Sequence, residues 1–210
     1  ARILSAPMTQ KLVSIIVPAY NEEAVLDIFH ARISEVLATL PDYAWEILFI
    51  NAGSTDATQL KIEALQRHDP RVGSILLSRN FGKEIAMTAG LDHAKGDAVV
   101  IIDADLQDPP ELIHDFLREW NKGYDVVYGR RTHRDGESWA KKATAHYFYR
   151  VIGKPSKVSL PANTGDFRLM SRRSVDALLQ LREQHRFMKG LFAWVGYPTT
   201  AVDYRRPPRA

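Results

Sequence analysis

The chain has 210 residues, 45% of them hydrophobic, a formal net charge of +3 and no cysteine. This length buries one sizeable core, so one domain is expected, and the lack of cysteine excludes disulfides and thiolate metal sites. No run of about 18 apolar residues occurs, so nothing in the sequence is expected to span a bilayer, and residues 1–10 lack the apolar stretch of a signal peptide and read as a flexible N-terminal tail.

In chain order, Leu12 to Val17 reads as a strand. Glu22 to Leu40 reads as a helix with Val25, Ile28, Phe29, Ile33, Val36 and Leu37 at helical spacing. Trp45 to Ile50 is a second strand, Asp56 to His68 a second helix, Val72 to Leu77 a third strand and Gly82 to His93 a third helix. The apolar, β-branched run Ala98 to Ile102 is a fourth strand, followed by a helix from Pro109 to Asn121 and a strand from Asp125 to Tyr128. This βαβα rhythm predicts an α/β fold with a mostly parallel sheet flanked by helices. Beyond it come a Lys- and aromatic-rich helix from Ser138 to Ile152, a polar linker from Gly153 to Pro161, and a short strand from Phe167 to Met170. A helix from Arg172 to Leu181 and a short one around Phe187 to Trp194 complete the reading.

Polar signatures follow four of the strands. Pro18 is expected to stop the first ladder, Tyr20 offers a flat face to a base or ribose, and Asn21 can cap the next helix; a well-made strand-to-helix turn accounts for the same residues. Gly53 permits a tight turn, and Ser54 to Asp56 can cap the second helix. Arg79 and Lys83 supply positive charge near a helix start. The fourth signature, Asp103-Ala104-Asp105-Leu106-Gln107-Asp108-Pro109-Pro110-Glu111, clusters hard oxygen ligands that suit Mg²⁺ or Mn²⁺, or else is an acidic turn opening a helix. Strand ends of a parallel sheet converge in space, so together these loops describe a nucleotide-diphosphate site with a bridging metal. Arg130, Arg131, Arg134, Lys141 and Lys142 gather mid-chain, and Arg205, Arg206 and Arg209 close the sequence. Such patches suit anionic lipid or phosphate, or are solvated surface; with no binding module beside them, nucleic acid is not expected. From Trp139 to Arg150, cations alternate with aromatic rings, which fits either a membrane headgroup region or a helix turning its rings into the core.

The ordered motifs from Val17 to Glu23, Gly53 to Asp56, Arg79 to Lys83 and Asp103 to Glu111, then Gly129 to Arg131 and Thr164 to Arg172, resemble glycosyltransferase family 2 over about residues 12 to 206. Within it the chain looks like the polyprenyl-phosphate branch. The resemblance implies a single Rossmann-like nucleotide-sugar-binding domain of GT-A type over residues 11–206. Residues 11–130 would form the nucleotide-sugar half and residues 131–206 the acceptor half, with 207–210 leading towards a membrane anchor.

The resemblance also implies site residues. Pro18, Tyr20, Asn21, Glu22, Asn51, Ala52, Ser54 and Lys83 would meet the donor, and Asp103, Asp105 and Gln107 would hold the metal, with Asp105 and Gln107 the direct ligands. Arg130, Arg131 and Arg168 would hold the acceptor phosphate, and Asp166 matches an active-site carboxylate; Asp105, Asp166 and Arg130 are the expected catalytic residues. The implied reaction is inverting, metal-dependent transfer of a sugar, UDP-glucose first among donors, to a polyprenyl phosphate at the cytoplasmic face of a membrane, with a homo-oligomer possible. Alternatives are a polysaccharide or other hydroxyl acceptor, or an impaired binding relative. The last rests on Ala52, which stands where family members carry an acidic residue. An introduced inactivating substitution or a natural variant with weak donor binding would each explain it.

Overall fold

The computed structural model describes residues 10–132, 164–181, 190–192 and 196–205. The alternation resolves into β1 (Lys11–Ala19), α1 (Leu26–Ala38), β2 (Tyr43–Asn51), α2 (Thr58–His68), β3 (Val72–Leu76), α3 (Lys83–His93), β4 (Ala98–Ile101) and α4 (Leu112–Asn121). Then follow β5 (Val126–Arg131), β6 (Thr164–Ser171), α5 (Arg172–Leu179) and β7 (Thr199–Tyr204). The strands form one seven-stranded sheet of order β3-β2-β1-β4-β6-β5-β7. β6 alone runs against the rest, pairing antiparallel with β4 and β5, while β7 pairs parallel with β5.

Period-two side chains explain why both faces are covered. In β1, Val13, Ile15 and Val17 join Phe29, Ile33, Phe49, Ile113 and Phe116 in one buried cluster. Ile16, facing the other way, joins Leu48, Ile50, Met87, Leu91, Val99, Met170 and Val175 in the second. The chain steps outward from β1 to β2 and β3, then crosses back to place β4 on the other side of β1. The crevice beyond the carboxyl ends of β1 and β4 is therefore a topological switch point, the usual ligand position in such sheets.

Several expected boundaries move. Pro18 does not stop the ladder: β1 stays in register with β2 through Pro18↔Ile50 and Ala19↔Asn51. α1 starts at Leu26, not Glu22, because Asn21 adopts φ 55° and Glu22–Val25 form a turn closed by Val25 N to Glu22 O at 3.0 Å. α4 likewise starts at Leu112, after a turn in which Leu112 N donates to Pro109 O. β5 runs on to Arg131 past an irregularity in its pairing with β6 between Tyr128 and Arg130, and β6 begins at Thr164. Strand β7 was not expected at all. The basic helix from Ser138 to Ile152 and the linker after it lie outside the described residues, as do Arg134, Lys141, Lys142, Arg206 and Arg209; of the last short helix, residues 190–192 are described and are helical.

Candidate active site

Backbone geometry first fixes the loops that follow β1, β2 and β3. Gly53 has φ 73°, and a Cβ there would sit 2.5 Å from the Arg79 carbonyl carbon, so only glycine lets the β2–α2 loop press on the β3–α3 loop. The β1–α1 and β2–α2 loops are laced together by side chains. Asn21 N donates to Ser54 Oγ at 3.0 Å, Asn21 Oδ1 accepts from Thr55 N at 2.9 Å, and Glu22 N donates to Thr58 Oγ1 at 2.9 Å. Glu23 Oε2 accepts from Ala57 N at 2.7 Å, and Asp56 Oδ2 accepts from Glu23 N at 3.3 Å. Asn51, fully buried, accepts from Ser54 N and donates to Gln59 Oε1. Asn21 is thus a latch between loops and does not cap α1, which has no side-chain cap. The expected cap from Ser54 to Asp56 is not formed as such: the N-cap of α2 is Ala57, which has no side-chain cap, although Asp56 Oδ1 accepts from Thr58 N at 3.0 Å.

Beside these loops lies a cavity of about 310 Å³. Pro18, Tyr20 and Glu22 from the end of β1, Ala52, Lys83 with Asn80 and Gly82, and Asp103 and Asp105 all line it. Asn21, Asn51, Ser54 and Gln107 do not; the first three act from behind, holding the wall in shape. Ala52 is 4% exposed and contributes only a methyl group to the wall. Asn80 and Gly82 were not singled out in the sequence. Asn80 Oδ1 accepts from Gly82 N at 2.8 Å, and Gly82, at φ 92°, turns the chain into α3. Arg79 lies away from the cavity with its guanidinium 4.0 Å over the Phe81 ring.

The floor is charged. Lys83 Nζ is 2.6 Å from Asp103 Oδ1 and 2.7 Å from Asp166 Oδ2, so one ammonium joins the third loop, the acidic loop and β6. Burial works against the charged Lys83, but the two carboxylates outweigh it and its pKa is raised. Burial raises Asp103 as well, Lys83 opposing and Asp166 and Asp108 adding to the rise. In the acidic loop, Leu106 takes φ 58°, and Gln107 N donates to Asp105 Oδ1 at 3.1 Å. A left-handed leucine costs about 1 kcal/mol or more, so this turn is held against its own preference.

The donor chemistry fits a hard cation. Asp105 is half-buried and lines the cavity, Gln107 follows two residues later, and Asp103 stands two residues before. Among the described residues no group of three or more His, Cys, Asp or Glu could cage an ion alone.

The arginines divide. Arg130 is half-exposed and pairs with Asp203 of β7 through Nε at 2.6 Å and Nη2 at 2.9 Å. Arg131 is mostly buried; its Nε donates to Tyr204 Oη at 3.1 Å and its Nη2 is 3.6 Å from Asp108 Oδ1. Arg168 is 4% exposed, donates to the carbonyls of Asp166 and Gly165, and stacks 3.7 Å from the Phe192 ring centre. Burial lowers its pKa to about 10, which still leaves it charged near neutral pH. Arg168 therefore shapes the turn that carries Asp166 and does not present its guanidinium to the cavity. Asp108 and Tyr204, the partners of Arg131, carry no role in the sequence reading. The alternation Thr200, Val202, Tyr204 was the signal for a strand that would bring the ring inward.

Residues 14–179 match the family model of glycosyl transferase family 2. An uncharacterized glycosyltransferase of Synechocystis sp. is 52% identical over 196 residues, covering 93% of this chain and 61% of the relative. A bactoprenol glucosyl transferase of Shigella phage SfV is 45% identical over 197 residues, covering 94% and 64%. The chain spans about three fifths of the length of these relatives. A mannosyltransferase from Pyrobaculum calidifontis, solved with GDP-Man and Mn²⁺, shares the fold with a TM-score of 0.66 at 21% identity, covering 97% of this chain and 59% of that one. The sheet order, the loops over its carboxyl edge and the matched segment agree: this chain belongs to glycosyl transferase family 2, has the α/β fold of GT-A type, and resembles the bactoprenol glucosyl transferases within that family.

Proposed function

We propose that the chain is the catalytic domain of a glycosyltransferase that moves a sugar from a nucleotide diphosphate sugar to a polyprenyl phosphate, with inversion. The observation that carries this reading is the cavity at the β1–β4 switch point, where an aromatic face, an ammonium and an acidic pair converge. Glucose is the favoured sugar, since the Shigella phage relative is named a glucosyl transferase, and UDP-glucose is the favoured donor. The domain would act at the cytoplasmic face of a membrane; among the described residues no helix is long and apolar enough to cross one. Residues 11–130 would serve the donor and 131–206 the acceptor.

Tyr20 would stack on the base or ribose, and Pro18 and Glu22 would shape that end of the pocket. A divalent ion held by Asp105 and Gln107, with Asp103 beside it, would stabilise the charge that builds on the departing nucleoside diphosphate. Lys83 can turn from its carboxylates to the diphosphate while staying in the same charged floor. The acceptor oxygen is already anionic near neutral pH, so positioning and charge do most of the work. Arg130, whose pair with Asp203 is exposed and screened by solvent, can exchange that partner for the acceptor phosphate. Asp166, tied to Lys83 at 2.7 Å, is better suited to orient that ammonium than to act as a general base, which favours a phosphate over a hydroxyl acceptor.

The test is transfer from UDP-glucose to undecaprenyl phosphate with Mn²⁺ or Mg²⁺, run beside GDP-mannose and UDP-N-acetylglucosamine. A metal-dependent glycolipid is expected; no product from any donor would overturn the reading. Ala52→Asp, which adds a carboxylate to the donor wall, should raise donor affinity or turnover. Equal activity of the two proteins would refute a donor-binding role for that position.

A further inference from the structure

Asp108 ends the acidic loop and is 1% exposed. Its Oδ1 accepts a short hydrogen bond from the Tyr204 hydroxyl, across 96 residues of sequence. The same hydroxyl accepts from Arg131 Nε at 3.1 Å, and Arg131 Nη2 is 3.6 Å from Asp108 Oδ1. The other Asp108 oxygen is buried and accepts no hydrogen bond from the described residues. Two glycines of the family-like motifs make room for this group. A Cβ on Gly129 would lie 2.8 Å from Tyr204 Cε1, and one on Gly165 would lie 2.8 Å from Arg131 Nη2. The Tyr204 ring is set edge-on to Phe167, at 87° and 6.5 Å between centres.

The geometry points to Tyr204 as a positioning residue: with Arg131 it clamps Asp108, and so holds the left-handed Leu106 turn that presents Asp105 and Gln107 to the donor-bound cation. The clamp rests on the proposed function for its purpose, but not for its existence. Leu106 lies two residues from Asp108 and carries a backbone strain that the loop's own bond, Gln107 N to Asp105 Oδ1, only partly offsets. A buried carboxylate fixed by a phenol and a guanidinium supplies the missing restraint. Strand β7 therefore reaches the metal loop through one hydroxyl, and Arg131 acts through that hydroxyl, whereas Arg130 points to Asp203 on the exposed edge.

Tyr204→Phe keeps the ring and removes only the hydroxyl. Mn²⁺ binding to the full chain in the presence of UDP, followed by the electron paramagnetic resonance of free Mn²⁺, should weaken at least fivefold. The transfer rate at saturating Mn²⁺ should stay within about threefold. Hydrogen exchange at the amides of Leu106 to Asp108, measured without metal, should speed up. Gly165→Ala, which displaces only the tip of Arg131, should repeat both effects in weaker form and covers the case in which Tyr204→Phe fails to fold. Tyr197→Phe, on the far side of β7's start, is the control and should change neither. Unchanged Mn²⁺ affinity together with unchanged exchange overturns the clamp. If the unsubstituted chain binds no Mn²⁺ with UDP, the proposed function falls, while the exchange result still decides whether Tyr204 holds the loop.

Discussion

The two sides of the cavity are built by different chemistry. Over β1, β2 and β3, loops are joined by short neutral or singly charged hydrogen bonds to backbone, as in Asn21 with Ser54 and Thr55, or Glu23 with Ala57. Over β4, β6, β5 and β7, charged side chains satisfy one another: Lys83 with Asp103 and Asp166, Arg131 with Asp108, Arg130 with Asp203. Backbone latches fix a shape that folding itself stabilises. Charge pairs hold partners that a charged substrate can replace. The β1–β3 side should thus respond to substitution through stability, and the charged rim through activity.

The largest expected effect lies at the boundary between the two sides. Asp105→Ala should lower metal-dependent transfer on the order of 10³-fold, with the thermal transition unchanged; full turnover at any Mn²⁺ concentration would break the assignment. Next, Gly53→Ala meets both a positive φ and the Arg79 backbone at 2.5 Å, and should cost about 3 kcal/mol in denaturant titration. A tolerated alanine there would show that the two loops are not in fixed contact. On the charged rim, Arg130→Gln should raise the KM for the lipid acceptor about tenfold, equivalent to 1.4 kcal/mol, and leave stability unchanged because its salt bridge is exposed. A loss of stability without a change in KM would reverse the contrast.

The smallest effect is a pH dependence on the donor side. Burial opposes ionisation of Asp56, but bonds from Thr58 and Glu23 outweigh it and hold its pKa below 3.8. The ionised latch therefore adds stability above pH 3.8 and loses it as the pH falls through the lowered value. Comparing the chain with Asp56→Asn at pH 6 and pH 3 should show a stability gap that closes in acid. A gap independent of pH would assign Asp56 no role as a carboxylate.

Much of the fold was legible because buried parallel strands announce themselves as apolar runs bounded by turns, as at Ala98 to Ile102. What escaped was edge structure. Thr199 to Tyr204 is a half-exposed strand of Thr, Val and Asp residues whose one strand partner among the described residues is β5, a pairing more than seventy residues away that no local pattern reports. The same blind spot cut β5 short at Tyr128, since Gly129-Arg130-Arg131 reads as loop until β7 is there to pair with it. For the site, residue type picked out Asp103, Asp105 and Lys83, which the structure brings to one cavity. It could not separate a side chain that faces the cavity from one that braces it: Asn21, Asn51 and Ser54 look like ligands in sequence and are struts in space. The burial of Arg168 against Phe192 was likewise not legible, because it is a tertiary fact.

The placement of β6 between β4 and β5 governs how the molecule can assemble. β1 to β4 and their helices can zip up in order, each new strand finding a neighbour already present, whereas β5 pairs with no earlier strand and must await β6 and β7. Those pairings span long stretches of chain and are the slow kind to form. Asp103 and Asp105 would thus emerge on a half-built sheet, and Asp166 and Tyr204 would reach them last. Pulse-labelled refolding should find amides of β1 to β4 protected before those of β5 to β7, with metal affinity acquired only in the final phase.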